Sequence, residues 1–417
     1  MPDAKITRRE YLWIVSGAAV GLVVGGAGGY WLKQPEIQTV TQTLTQTAVP
    51  TVKPFVLPNR VKIGVSYPVS GVSAYEGKHC VDGTLMAVKE INEAGGIGGN
   101  CVIDVVVEDD KGDPTEGATI AEKFITQDRV DAIIASFVSP VSLAMAPVAE
   151  RNKKLFVNAN SIAPSLTKQG WAWVFRVCDN SDMMAVGLMD TLVNEIGWKK
   201  IVIIAPDDAM GIGSATGIKN LVGKYPGVSV VKEYYVPRGS KDYYPYLTAL
   251  KDIKPDGMIL PLDAMDGAAL INQWAELGLR GQVGVCGQGG FEGSEAFLKL
   301  TGPNAEGLID ATMFSPFLKP PPNERYTNLI NGFRSLYGYL PDKYAVRAYD
   351  SIKILAQAIE RAQSIDGNSV REALLKTSYT SAIGENLTFD QDHQLHRVEL
   401  IVQIKNGDHV LIYQKLM

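Results

Sequence analysis

Beyond residue 60, apolar positions recur with two alternating periods. Short β-branched runs at 61–66, 102–108, 131–135, 155–158, 200–205, 228–235, 257–261 and 283–286 read as buried strands. Between them, 3.6-residue periodicity over 77–93, 115–127, 141–151, 182–196, 213–223, 243–252 and 266–277 predicts helices. This alternation calls for parallel sheets with right-handed crossovers, and two α/β lobes account for the strands better than one large sheet. In the first β-α-β unit a strand through Val61, Ile63 and Val65 meets the turn Ser70-Gly71. The helix that follows closes on Gly95-Gly96, and the second strand ends in Glu108, Asp109 and Asp110. The turn and the acidic strand end thus lie at the carboxyl ends of parallel strands, where open α/β sheets bind small ligands.

The remainder of the chain changes this picture at its amino end. Thr7-Arg8-Arg9-Glu10-Tyr11-Leu12 precedes an apolar stretch from Tyr11 to Leu32 and looks like a twin-arginine export signal. Residues 1–33 are therefore read as an export segment. The apolar stretch is also long enough to span a bilayer, so a cleaved signal and a retained membrane anchor both stay open. Residues 34–58, with repeated Thr-Gln-Thr units and a Pro-rich boundary, read as an extended spacer. The 417 residues suffice for two lobes with cores of their own, and 46% hydrophobic and 20% charged residues are ordinary for a globular protein. With a net charge of -5 there is no basic excess to hold a polyanion, so nucleic acid is not an expected partner.

Motifs for catalysis or cofactors are weak. Gly211-Ile212-Gly213 with Gly217 misses the dinucleotide spacing by one residue. His393 and His396 form a single H-x-x-H, short of the three or four ligands zinc takes, and read as part of a polar hairpin. No G-x-S-x-G elbow occurs, and no Ser-His-Asp order can be assembled from the histidines. Cys80, Cys101, Cys178 and Cys286 form no C-x-x-C and are expected as buried thiols. No enzyme activity, cofactor or metal is expected.

The wording of the chain is more specific than its periodicity. Ile63-Gly64, Ser70-Gly71, Tyr75 with Gly77, Ile91-Asn92 before Gly95-Gly96-Ile97, and Asp109-Asp110 with Asp113-Pro114 resemble the opening of the periplasmic leucine/isoleucine/valine-binding proteins, the amino-acid branch of the type I solute-binding family. Ala163-Pro164-Ser165-Leu166-Thr167 and Ala348-Tyr349-Asp350 extend the likeness over nearly everything after residue 60. The resemblance implies two Rossmann-like lobes joined by a three-strand hinge, residues 59–180 plus 317–378 forming lobe one and 181–316 plus 379–417 lobe two. It implies a monomeric extracytoplasmic binder that serves an ABC-type permease and captures a small polar ligand, an amino acid by family habit, between closing lobes. A ligand-sensing receptor module is the alternative in another class.

It also implies a site. Phe137, Val138 and Ser139 follow the third strand and open a helix whose N-terminus suits a carboxylate, with Ser139 a ligand donor, an N-cap or both. Asn160, Ser161 and Ile162 end the fourth strand as the second half of that pocket, although the family's threonine is replaced by Ile162. In lobe two the family's tyrosine aligns with Asp263 and its ammonium-binding glutamate near Gln288. A buried ammonium needs a carboxylate, which Asp263 or Asp266 would supply. Failing that, the ligand would be an amide, a urea-like compound or a simple carboxylate. Tyr75, Met210 and Tyr349 complete the expected apolar wall, together with Phe137.

Overall fold

The computed structural model describes residues 57–288 and 293–416, so the export segment 1–33 and nearly all of the spacer 34–58 lie outside the described residues. The first lobe is built from β1 (Arg60–Tyr67), α1 (Ala74–Glu93), β2 (Val102–Asp109), α2 (Pro114–Thr126), β3 (Ala132–Ala135), α3 (Ser139–Arg151), β4 (Leu155–Asn158) and β5 (Val174–Arg176). Its strands pair in parallel in the order β2-β1-β3-β4-β5. Val61, Ile63 and Val65 of β1 and all four residues of β3 are buried, as a central strand covered on both faces requires. Phe124, Phe156 and Phe175 are wholly buried in this core, each worth roughly 1.5–3 kcal/mol of burial.

The chain then enters the second lobe: α4 (Ser181–Asp190), β6 (Lys200–Pro206), α5 (Ala209–Val222), β7 (Ser229–Val236), α6 (Tyr244–Ile253), β8 (Gly257–Leu260), α7 (Ala264–Glu276), β9 (Gly284–Gln288), α8 (Glu295–Thr301) and β10 (Ile309–Thr312). It returns through α9 (Glu324–Tyr337), α10 (Lys343–Ala362), α11 (Gly367–Leu374) and the short pair β11 (Tyr379–Thr380) and β12 (Asn386–Leu387), and ends in β13 (Val398–Lys405) and β14 (Asp408–Leu416). The second sheet runs β14-β13-β10-β9-β8-β6-β7, parallel from β10 to β7 and antiparallel at the β13–β14 edge. The helix expected over 182–196 is regular only to Asp190 and widens into a π turn at Thr191–Glu195.

Three connections pass between the lobes, after β5, after β10 and before β13. Tyr379, Leu387 and Leu395 pack into the first core, so the last crossing falls near Arg397 and not at 379 as the sequence reading placed it. Arg397, fully buried, donates from Nη2 to Asp350 Oδ2 at 2.6 Å, from Nη1 to Glu385 Oε2 at 2.7 Å and from Nε to the Val177 carbonyl at 3.2 Å. One guanidinium thereby joins the first crossing, the third crossing and helix α10.

Two glycines set the cleft wall. A Cβ on Gly77 would stand 1.8 Å from the Pro68 carbonyl oxygen, so only glycine lets the start of α1 lie on the turn after β1. A Cβ on Gly83 would stand 2.1 Å from the Ala345 carbonyl oxygen. The backbones of α1 and α10 touch there, which carries the first turns of α10 to the mouth between the lobes.

Candidate functional site

A small cavity of about 20 Å³ lies between the lobes. Phe137, Ser139, Asn160, Ile162, Tyr344 and Arg347 line it from lobe one, and Met210, Arg238, Leu262 and Asp263 from lobe two. These residues sit where strands β3, β4, β6, β7 and β8 end and where α10 begins, at the carboxyl edges of two parallel sheets.

On lobe one the helix α3 is capped by the backbone of Val138, whose side chain is buried in the core, and Ser139 is the first helical residue and not the cap. Ser139 Oγ accepts from Ser161 Oγ at 2.9 Å and from the Ala163 backbone N–H at 3.3 Å. Its own hydroxyl proton is thus left to donate toward the cavity. Ser161 supports Ser139 from behind and does not line the cavity. Asn160 Nδ2 donates to the Tyr344 carbonyl at 3.1 Å and to Cys80 Sγ at 3.2 Å, while its buried Oδ1 has no hydrogen-bond partner among the described residues. The Phe137 and Tyr344 rings meet edge to face with centroids 4.9 Å apart. The acidic strand end serves the scaffold: Asp109 accepts from Ser70, and the buried Asp110 accepts from Ser66 Oγ and Ser136 Oγ.

On lobe two the deciding residue is Arg238, just after β7. Its guanidinium binds Asp208 Oδ2 through Nε at 3.1 Å and Nη2 at 2.6 Å, and ion-pairs with Asp263 through Nη1. Burial works against its charge, but Asp263 and Asp208 more than compensate and raise its pKa. Asp208 also caps α5, accepting from the N–H groups of Met210 and Gly211. Asp266 accepts the Gly239 N–H at 2.9 Å, and burial raises its pKa. Asp263 lines the cavity and is already engaged by a cation.

Arg347 enters from α10 and is 1% exposed. Its nearest acid is Asp179, with Nη2 3.7 Å from Oδ2, and neither Nε nor Nη2 has a hydrogen-bond partner among the described residues. Deeper in the cleft the fully buried Glu76 of α1 accepts the Ala264 N–H of lobe two at 3.2 Å. Burial and the neighbouring Asp263 push its carboxyl pKa well up.

Besides Val138 and Ser161, three expected residues stand elsewhere. Tyr75 bridges the lobes, its hydroxyl accepting from Ser294 Oγ at 2.9 Å, but does not line the cavity. Gln288 is buried with its amide donating to the Ser181 carbonyl at 2.9 Å, a strut at the end of β9. Tyr349 is a correction: it faces α1, with its hydroxyl on Glu90 and its ring 5.2 Å from Lys353 Nζ. His393 stacks on Phe175 at 4.3 Å and His396 faces Asp390 at 3.0 Å, so the two imidazoles take separate partners.

Sequence reasoning passed over Arg238, Arg347, Tyr344, Leu262 and Glu76. A signal did exist for two of them. Arg238 directly follows a parallel strand, and Arg347 is the lone charge in Tyr344-Ala345-Val346-Arg347-Ala348-Tyr349.

A family model described as periplasmic binding protein matches residues 60–408. The chain belongs to the periplasmic binding protein family. It is 28% identical over 338 residues to Leu/Ile/Val-binding protein homolog 1 of Brucella suis, covering 79% of this chain and 86% of that one. It is 26% identical over 342 residues to the leucine-, isoleucine-, valine-, threonine- and alanine-binding protein of Pseudomonas aeruginosa, covering 82% and 89%. Among solved structures, the leucine-binding protein LivK of Thermotoga maritima aligns with a TM-score of 0.77 at 25% identity, over 85% of this chain and 98% of that one. A solute-binding protein of Rhodopseudomonas palustris in complex with 3,4-dihydroxybenzoic acid shares the fold, with a TM-score of 0.78 at 23% identity over 86% and 98%. Family membership agrees with the two-lobe architecture.

Proposed function

We propose that the protein is the extracytoplasmic solute-binding component of an ABC importer, which closes its lobes on a small carboxylate-bearing solute and releases it unchanged to a permease. A branched-chain amino acid is the first candidate, on the strength of relatives whose names specify leucine, isoleucine and valine. The observation that carries the reading is a cavity lined from both lobes at once. Only a ligand that touches both can shift an open–closed equilibrium. On this reading the crossings near 177–180, 313–323 and 396–397 act as the hinge, and the twin-arginine segment with its Thr-rich spacer delivers the binder outside the membrane and tethers it there.

A second reading has one specific support. Asp263, the expected ammonium partner, is ion-paired with Arg238, so an amine-free acid would fit the site without displacing that pair. A thermal-shift screen of branched-chain amino acids against their amine-free acids decides between them, because a ligand of the native state raises its melting temperature. Amino acids that shift the transition while the acids do not support the first reading, and the reverse supports the second. Silence toward both classes overturns carboxylate capture altogether.

A further inference from the structure

The cavity contains a charged group that the fold answers only in part, through a 3.7 Å ion pair with Asp179 and with no hydrogen bond from two of its nitrogens among the described residues. Arg347 is 1% exposed, and the two nitrogens without a hydrogen-bond partner, Nε and Nη2, form one edge of its guanidinium. Their N–H bonds run side by side, the spacing that a carboxylate accepts as a bidentate fork. Its ion-pair partner Asp179 stands 3.7 Å from Nη2, too far for a hydrogen bond. Burying a guanidinium with its fork unused is costly, so a well-packed protein retains one only where something else answers it. Ser139 and Asn160 line the same space: the Ser139 hydroxyl oxygen already accepts twice, and Asn160 Oδ1 is buried and without a hydrogen-bond partner among the described residues. Arg238 across the cleft already faces two carboxylates, Asp208 and Asp263, which neutralise its charge.

We infer that Arg347 is the residue that reads the solute's carboxylate, receiving it side-on through Nε–H and Nη2–H, with the Ser139 hydroxyl as an additional donor. The inference rests on the solute-capture reading above and gives it a chemical filter: an acid is accepted and its uncharged amide rejected. The cation comes from α10, so the selection is made by lobe one before closure.

The test compares acid and amide pairs by calorimetry: 4-methylpentanoate with 4-methylpentanamide, benzoate with benzamide, and leucine with leucinamide. Wild type is expected to favour the acid in whichever pair binds. Arg347→Met is expected to lose about 10- to 150-fold in affinity for the acid and to change less than about threefold toward the amide. Arg347→Lys, which keeps the charge but not the fork, should fall between. Equal losses for acid and amide in Arg347→Met, or a wild type that binds both equally, overturn the role of Arg347 and leave solute capture standing. A wild type that binds no member of any pair overturns the capture reading itself, and this inference with it.

Discussion

Glu76→Gln separates the charge of the buried carboxyl from its shape. Glu76 lies on α1, has no exposed surface, accepts the Ala264 N–H across the cleft at 3.2 Å and has its second oxygen without a hydrogen-bond partner among the described residues. Burial raises its pKa most, Asp263 and Asp342 raise it further, and Arg238 offsets only part. A carboxyl whose folded pKa lies above its ordinary value of 4.5 holds a proton in the native state that the unfolded chain gives up. The stability it contributes is complete below that ordinary value and is lost as pH climbs toward the folded pKa, by about 1.4 kcal/mol per pH unit. Glutamine keeps the acceptor for Ala264 and stays neutral at every pH. Wild type and variant should therefore match near about pH 4, and the variant should become progressively the more stable as pH rises above the ordinary carboxylate value. Urea unfolding across that range checks it; parallel pH profiles would refute the claim that the native state holds Glu76 protonated. Because Ala264 belongs to the other lobe, opening rehydrates Glu76. Ligand-driven closure should accordingly take up protons, visible as a dependence of the calorimetric heat on the buffer's ionisation enthalpy.

The other expectations concern the scaffold. Arg397→Met strands the buried carboxylates of Asp350 and Glu385 and should cost about 3–5 kcal/mol in denaturant unfolding; a loss below about 1 kcal/mol would contradict its place as the tie between crossings. His409 is buried without a hydrogen-bond partner for either ring nitrogen among the described residues, and burial lowers its pKa from 6.5 to about 4. Its neutral form is fully compatible with folding above the ordinary value, and stability drains as pH falls toward 4, by up to about 3 kcal/mol. His409→Phe, still packed on Phe317, should flatten this acid limb, and an unchanged limb would assign acid sensitivity elsewhere. Gly83→Ala places a Cβ 2.1 Å from the Ala345 carbonyl oxygen, so it should cost about 1–3 kcal/mol and weaken ligand binding together by displacing α10; full affinity in a folded variant would show that the α1–α10 approach does not position the site.

Where the sequence spoke through periodicity, it was read correctly. The strands around Val61, Ile133, Phe156, Ile203 and Ile259 are long enough in apolar residues to announce burial on both faces, and the helices between them carry their own caps, such as Asp113 before α2 and Asp208 before α5. The strands it passed over are short: β5 is Val174-Phe175-Arg176, and β10 places Asp310 within Ile309–Thr312, so neither gives a period to detect. A slot in the sheet, not a local preference, makes them strands.

The site divides along the same line. Local wording brought Phe137, Ser139, Asn160, Ile162, Met210 and Asp263 to the cavity, because each ends a strand or opens a helix. Tyr349 failed for a rotational reason: it lies two residues beyond Arg347, about 200° around helix α10, so the approach of α1 that turns Arg347 to the cleft turns Tyr349 to Glu90. Nor could any local pattern disclose that Arg238 would occupy Asp263, or that Glu76 would cross to Ala264, since those partners meet only when separate lobes close over one space. The order of strands and helices was thus determined by the chain's own hydrophobic spacing, which is a local property. The charge of the cleft was decided by tertiary structure, because pairing and burial of ionised groups depend on neighbours that the chain brings in from far away.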